Sequence, residues 1–161
     1  MSAEASTQQT ATAPRERDRI QPAPYMMGFH EPIHAVVLGA RGGIGGAFVQ
    51  RLLADDPDHL VWCASRDSTW VNTPTPTTSE NRVLLDITSE DHWARLTEQL
   101  DEHRPINCVI NAAGLLHSDG VEPERSWRSL SGEMMQAVFA VNTYGMGLAI
   151  KHLAPRFGRS S

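Results

Sequence analysis

Lysine is almost missing from this chain. Of its 14 basic residues only Lys151 is not an arginine, and 19 acids leave a net charge of −5 and a pI near 5.8. A basic footprint is therefore absent, which argues against nucleic acid or an anionic membrane surface as a partner. Cysteine is scarce too, with 2 in 161 residues. Cys63 and Cys108 each sit inside an apolar run, which predicts reduced core residues of a cytoplasmic protein rather than a disulfide or a reactive thiol. No apolar run has the length of a membrane span. What is there is a soluble chain, 40% apolar, of a size that suits one domain.

The first 32 residues lack hydrophobic periodicity. From MSAEASTQQTATAP to PAPYMMGF they are rich in Ser, Thr, Ala, Gln and Pro, and they read as a disordered tail. A signal peptide would need a continuous apolar stretch, and a transit peptide would avoid the acids that alternate with arginine in RERDR. The domain is expected over 33–158, with 159–161 as a short end. At the junction HEPIH, residues 30–34, matches the H-E-x-x-H zinc pattern. That chemistry needs a helix to bring both histidines to one face. Pro32 turns Glu31 away from helical dihedrals and AVVLG follows as a buried-strand run, so a loop entering a strand is expected and no metal.

That strand, His34 to Leu38, runs into the glycine turn GARGGIG and then into a helix with Ile44, Phe48, Leu52, Val49 and Leu53 at helical spacing. Strand, glycine turn and helix in that order is the context of a dinucleotide-binding site. Gly39 permits a tight turn, Gly43 lets backbone approach a pyrophosphate, and Gly45 lets helix and strand pack closely. The helix N-terminus then offers unpaired N–H groups to phosphate oxygens.

Three further strands are expected at Leu60 to Ala64, Arg82 to Ile87 and Ile106 to Ile110, which makes a Rossmann-type doubly wound parallel α/β sheet. The second ends in Ser65-Arg66, where an acid would hold a ribose 2′-hydroxyl and a planar cation suits a 2′-phosphate. Arg41 in the glycine turn would add a second positive charge. NADP(H) is thus the preferred cofactor, with NAD(H) as the alternative. Residues 67–81 carry too many Thr and Pro for a helix and read as a crossing loop. Asp86 lies at the ligand-binding edge of the third strand. A capping-box spacing from Thr88 to Asp91 opens a helix whose buried stripe is Trp93, Leu96 and Leu100.

GARGGIG, the SR after strand two, LDIT after strand three, NAAG after strand four and VNTYG in the next helix together resemble the N-terminal half of the short-chain dehydrogenase/reductase family. The likeness is strongest to its C-factor and Sniffer-like carbonyl reductases, and it covers about residues 33–157. The resemblance implies that Gly39, Gly43, Ile44 and Gly45 cradle the cofactor phosphates, with Ser65 and Arg66 at the adenosine ribose. It places Asp86 and Ile87 beside the adenine, and Asn111, Ala112 and Gly114 along the nicotinamide side. Asn142 would be the helix asparagine of the catalytic tetrad. Two departures are Leu38, where the family often has threonine, and Ala112, which replaces the second asparagine of NNAG.

In that family a tyrosine protonates the carbonyl oxygen and a lysine four residues later lowers its pKa. Tyr144 is followed four residues on by Leu148, and Lys151 lies about 10 Å further along a helix, too far for direct coupling. Tyr25 is followed by Phe29. The serine, tyrosine and lysine of the family are therefore expected beyond Ser161, and the chain is expected to be the cofactor-binding half of an oxidoreductase acting on a small carbonyl or alcohol. The alternative is a non-catalytic module that binds a dinucleotide or a subunit. Residues 131–157 read as one long helix capped by Ser131, with a broad, mainly apolar face of Met135, Val138, Phe139, Asn142, Met146, Ile150 and Leu153. Gly145 and Gly147 imply close packing there, and the exposed apolar side would be a homo-oligomer surface.

Overall fold

The hydrophobic run at the start of the domain becomes β1 (His34–Leu38), buried on both faces. Because side chains alternate across a strand, Ala35 and Val37 join one core and Val36 and Leu38 the other. The computed structural model describes residues 32–100, 104–116 and 125–158. The expected tail up to Glu31, with the first two residues of the HEPIH stretch, and residues 159–161 lie outside them. His34, its last member, is a buried strand residue whose Nδ1 is 3.2 Å from the Pro105 carbonyl oxygen. Among the described residues no cluster suits a metal ion, and no helix is long and apolar enough to cross a membrane.

The elements that follow are α1 (Gly43–Asp55), β2 (Leu60–Ser65), α2 (Ser68–Val71), β3 (Glu80–Leu84), α3 (Glu90–Gln99) and β4 (Cys108–Asn111). After them come α4 (Gly132–Phe139), a π-helical turn (Ala140–Tyr144) and α5 (Gly145–Leu153). The strands form one parallel sheet in the order β3-β2-β1-β4. Parallel neighbours need crossovers, and these place α1 on one face and α3 with α5 on the other. The first core gathers Val49, Leu52 and Cys63 against β1. The second gathers Trp93, Leu96, Ala149 and Leu153, and there the Trp93 indole N–H donates to the Ile87 carbonyl at 2.9 Å. Full burial of side chains of this kind stabilises by roughly 1.5–3 kcal/mol each.

The doubly wound sheet and the stripe Trp93, Leu96 and Leu100 agree with the sequence reading. Several local expectations do not. Ile44 points outward, 71% exposed, because α1 turns Gly45, Val49 and Leu52 to the sheet. Residues 67–81 include the short helix α2, which forms because the Asp67 carboxylate accepts the Trp70 N–H. Ser89, not Thr88, caps α3 by accepting from His92 N–H, since Thr88 is taken up by Asp86. β3 begins at Glu80 and ends before Asp86.

The expected long helix is interrupted. Ser131 does cap it, accepting from Met134 N–H, but in the π turn the Gly145 N–H reaches back to the Ala140 carbonyl, five residues away. A Cβ at Gly145 would sit 2.7 Å from the Ile87 side chain, so the close packing is real there. At Gly147 it would meet nothing within 4 Å. The inward residues are Met134, Gly145, Ala149 and Leu153, while Met135, Phe139 and Ile150 of the expected apolar face are exposed.

Candidate functional site

A cleft of about 190 Å³ opens at the C-terminal ends of the strands, where β1 lies between β2 and β4 and the chain direction around the sheet reverses. Its floor is the turn after β1. Gly39 has φ +75°, a conformation that side chains disfavour, and a Cβ there would lie 2.7 Å from the Ala112 carbonyl oxygen. The turn and the loop after β4 are drawn together by Ala112 N–H donating to Leu38 O at 2.9 Å. A Cβ at Gly45 would collide with the Gly39 carbonyl, which holds α1 tightly to the turn.

Gly42 caps α1 with no side-chain hydrogen bond, so the first N–H groups of the helix have no side-chain partner at the cleft. At Gly43 a Cβ would meet nothing within 4 Å, so the backbone there is open to approach. A glycine floor beside an uncapped helix N-terminus fits the diphosphate of a dinucleotide. Of the residues singled out from sequence, Gly39, Ser65, Arg66, Asp86, Ile87, Ala112 and Gly114 line this cleft. Gly42, Leu85, Ala113 and Val141 also line it and were not anticipated. The first G of the GG pair was the available signal for Gly42, whereas Val141 arrives only through helix packing.

Around the rim, Ser65 Oγ accepts the Asp67 N–H at 3.1 Å, which fixes the chain as it leaves β2. Asp86 is held by three groups. Its N–H donates to His92 Nδ1 at 2.9 Å, and its Oδ1 accepts from Thr88 N–H at 2.9 Å and Thr88 Oγ1–H at 2.7 Å. Burial pushes the Asp86 carboxyl up, but the two Thr88 hydrogen bonds and the nearby Arg66 and His92 outweigh it and hold the carboxyl below the usual aspartate value.

The other singled-out residues lie outside the cleft wall. Arg41 turns to Asp67, with Nε 3.0 Å from Oδ2. Asn111 accepts from Ala113 N–H at 3.1 Å and faces a separate apolar groove beside β4. Asn142 sits in the π turn, where its amide accepts from Leu115 N–H and donates to Leu115 O, both at 2.8 Å. It therefore tethers the loop after β4 to the helix. Tyr144 is 68% exposed, and Lys151 Nζ contacts both carboxylate oxygens of Glu90 at 2.9 Å, so the two are not a coupled pair. Burial pushes both thiols up, that of Cys63 to about 12, in keeping with inert core residues.

A family model described as short chain dehydrogenase matches residues 33–161. Among solved structures, the KRED1-Pglu enzyme superposes with a TM-score of 0.67 and 25% identity, over 77% of this chain and 51% of that one. Sniffer of Caenorhabditis elegans gives a TM-score of 0.58 at 23% identity, over 78% and 53%. A short chain dehydrogenase from Burkholderia cenocepacia in complex with NADP gives 0.61 at 24%, over 78% and 48%. The chain thus spans about half the length of these structures. No curated protein sequence matches it.

Proposed function

The chain belongs to the short-chain dehydrogenase family, and we propose that it is the cofactor-binding half of an NADP(H)-dependent oxidoreductase that interconverts a small carbonyl compound and its alcohol. The observation that carries this reading is the cleft at the strand ends, with its glycine floor, the uncapped start of α1 and Arg66 on its rim. No acid stands at the Ser65 position to hold a 2′-hydroxyl, and Arg66 offers a planar cation to a 2′-phosphate, so NADP(H) is preferred over NAD(H). The nicotinamide, when bound, supplies the hydride that is exchanged with the carbonyl carbon. The chain's own residues do the holding. Gly39, Gly43, Ile44 and Gly45 would hold the diphosphate and Ile87 would lie against the adenine. Ala112 and Gly114 line the nicotinamide end, and Asn111 supports their loop.

Asn142 acts in this reading as a positioning residue, because its amide is spent on both backbone groups of Leu115. Carbonyl reduction also needs a proton donor with a tuned pKa, which takes a cation within about 4–6 Å. Lys151 is committed to Glu90 and Tyr144 is exposed, so among the described residues no tyrosine has a lysine placed to make it that acid. The expected result is that this chain binds NADPH saturably but oxidises none above background with a carbonyl substrate. Protein-dependent oxidation that survives Tyr144→Phe would overturn the catalytic half of the reading. Loss of NADPH binding in Arg66→Glu tests the other half.

The Lys151–Glu90 pair also favours a second reading, a dinucleotide-binding or subunit-interaction module without turnover. Exposed Met135, Phe139 and Ile150 supply a homo-oligomer surface along the 131–157 segment. The cellular setting in either case is the cytoplasm, in keeping with two unpaired, buried thiols.

A further inference from the structure

Arg41 was expected to reach the adenosine end of the cleft, yet it is not among the residues that line it. Its Nε is 3.0 Å from Asp67 Oδ2, the arginine side chain 59% exposed and the aspartate 30%. Asp67 cannot swing aside easily. Its Oδ1 accepts the Trp70 N–H at 3.0 Å and its own N–H is held by Ser65 Oγ. Trp70 is fixed in turn, since its carbonyl accepts from Arg82 Nη1 at 3.1 Å and its ring lies 4.3 Å from the Arg82 guanidinium. The adenosine end therefore carries two arginines, Arg41 and Arg66, and two aspartates, Asp67 and Asp86, which cancel in net charge.

We propose that Asp67 is a specificity-determining residue, whose carboxylate holds Arg41 off the cleft and limits the preference for a dinucleotide with a 2′-phosphate over one with a free 2′-hydroxyl. This rests on the cofactor reading above. A phosphate at the ribose meets Arg66 directly, but it gains little from Arg41 while Asp67 neutralises that guanidinium and repels the incoming dianion. A free hydroxyl carries no charge and is indifferent to the pair. Removing only the charge frees Arg41 for the phosphate.

Asp67→Asn is the suitable variant, because an asparagine oxygen still caps α2 from Trp70 N–H. The measurement is the dissociation constant of NADPH and of NADH, with adenosine 2′,5′-bisphosphate and 5′-AMP as fragments, by tryptophan fluorescence at low and moderate salt. The expected result is NADPH and bisphosphate binding tighter by about tenfold, a gain that shrinks with added salt, and NADH and 5′-AMP changed by less than about twofold. In an Arg41→Gln background the gain shrinks to the part that comes from lost repulsion. Asp67→Ser, which also keeps a capping oxygen, should behave like Asp67→Asn and guards against a folding defect in one variant. Unchanged or weaker NADPH binding in both variants overturns the inference and leaves the functional reading standing. An equal gain for NADH, or a gain undiminished in Arg41→Gln, overturns it as well. Failure of the folded wild-type chain to bind any of the four probes overturns the inference and the cofactor reading together.

Discussion

At the β3 edge of the sheet, Arg82 ion-pairs with buried Glu80 at 2.7 Å, donates to the carbonyls of Trp70 and Thr73, and lies over the Trp70 ring. At the β4 edge the neighbourhood is a groove of about 440 Å³ lined by Val109, Asn111, Met146, Ile150 and Phe157, among others. A parallel bridge joins Ile106 to Phe157 there, with Ile106 N–H donating to Arg156 O at 3.0 Å. One edge is sealed by a polar cluster drawn from its own crossover, and the other is flanked by apolar side chains. Unpaired strand edges attract other strands, so the difference marks β4 as the side that association should favour.

Removing the seal gives the largest expected effect. Arg82→Ala leaves Glu80 buried without its counter-ion and should cost about 3 kcal/mol in urea unfolding, whereas Glu80→Gln should cost clearly less. Equal and small losses would mean that the β3 edge is held by apolar packing alone. The two thiols sharpen the same contrast. Cys63, in register with Arg82, is fully buried with its pKa pushed to about 12, while Cys108 on β4 is 8% exposed and raised less. Alkylation of native protein at pH 8 should therefore modify Cys108 before Cys63, as read by peptide mass spectrometry; the reverse order would break the comparison.

A smaller effect on stability is expected from Ile150→Asp. Exposed by 64%, Ile150 contributes little to the core, so the change should stay within about 0.5 kcal/mol. Self-association in sedimentation should nonetheless fall, and an unaltered profile would count against the apolar groove as the contact. Smallest of all is Lys151→Ala. The hydrogen bond and charge of Lys151 lower the Glu90 pKa, so the pair adds stability above the ordinary carboxylate value of 4.5 and loses it as pH falls through the lowered one. Any difference in Tm between wild type and variant should thus be visible at pH 7 and gone at acid pH, and modest throughout because both groups are exposed.

Elements governed by short-range rules were legible in the sequence. The unbroken apolar runs gave three strands close to where they lie, the glycine turn gave the cleft floor, and Ser131 gave a cap. Long-range choices were not. Whether Ile44 faces in or out depends on which side of α1 meets the sheet, and a 3.6-residue period alone admits either. The π turn coincides with the Asn142–Leu115 tether, a contact across 27 residues that no local pattern encodes. Asp67 was passed over because its partner lies in a different turn of the chain, although the Asp-x-x-Trp spacing that caps α2 was there to be read.

The register of β1 has a consequence for synthesis on the ribosome. Ala35 pairs with Val61 on one side and with Cys108 on the other, so the β1–β2–β3 half can assemble long before β4 has been made. Until then one flank of β1 offers unsatisfied amides next to an apolar surface, the kind of nascent-chain feature on which chaperones act. The wall of the cleft that β4, its loop and then Val141 provide is completed last, so translational pausing before Cys108 should lengthen the interval in which the glycine turn stands without its roof.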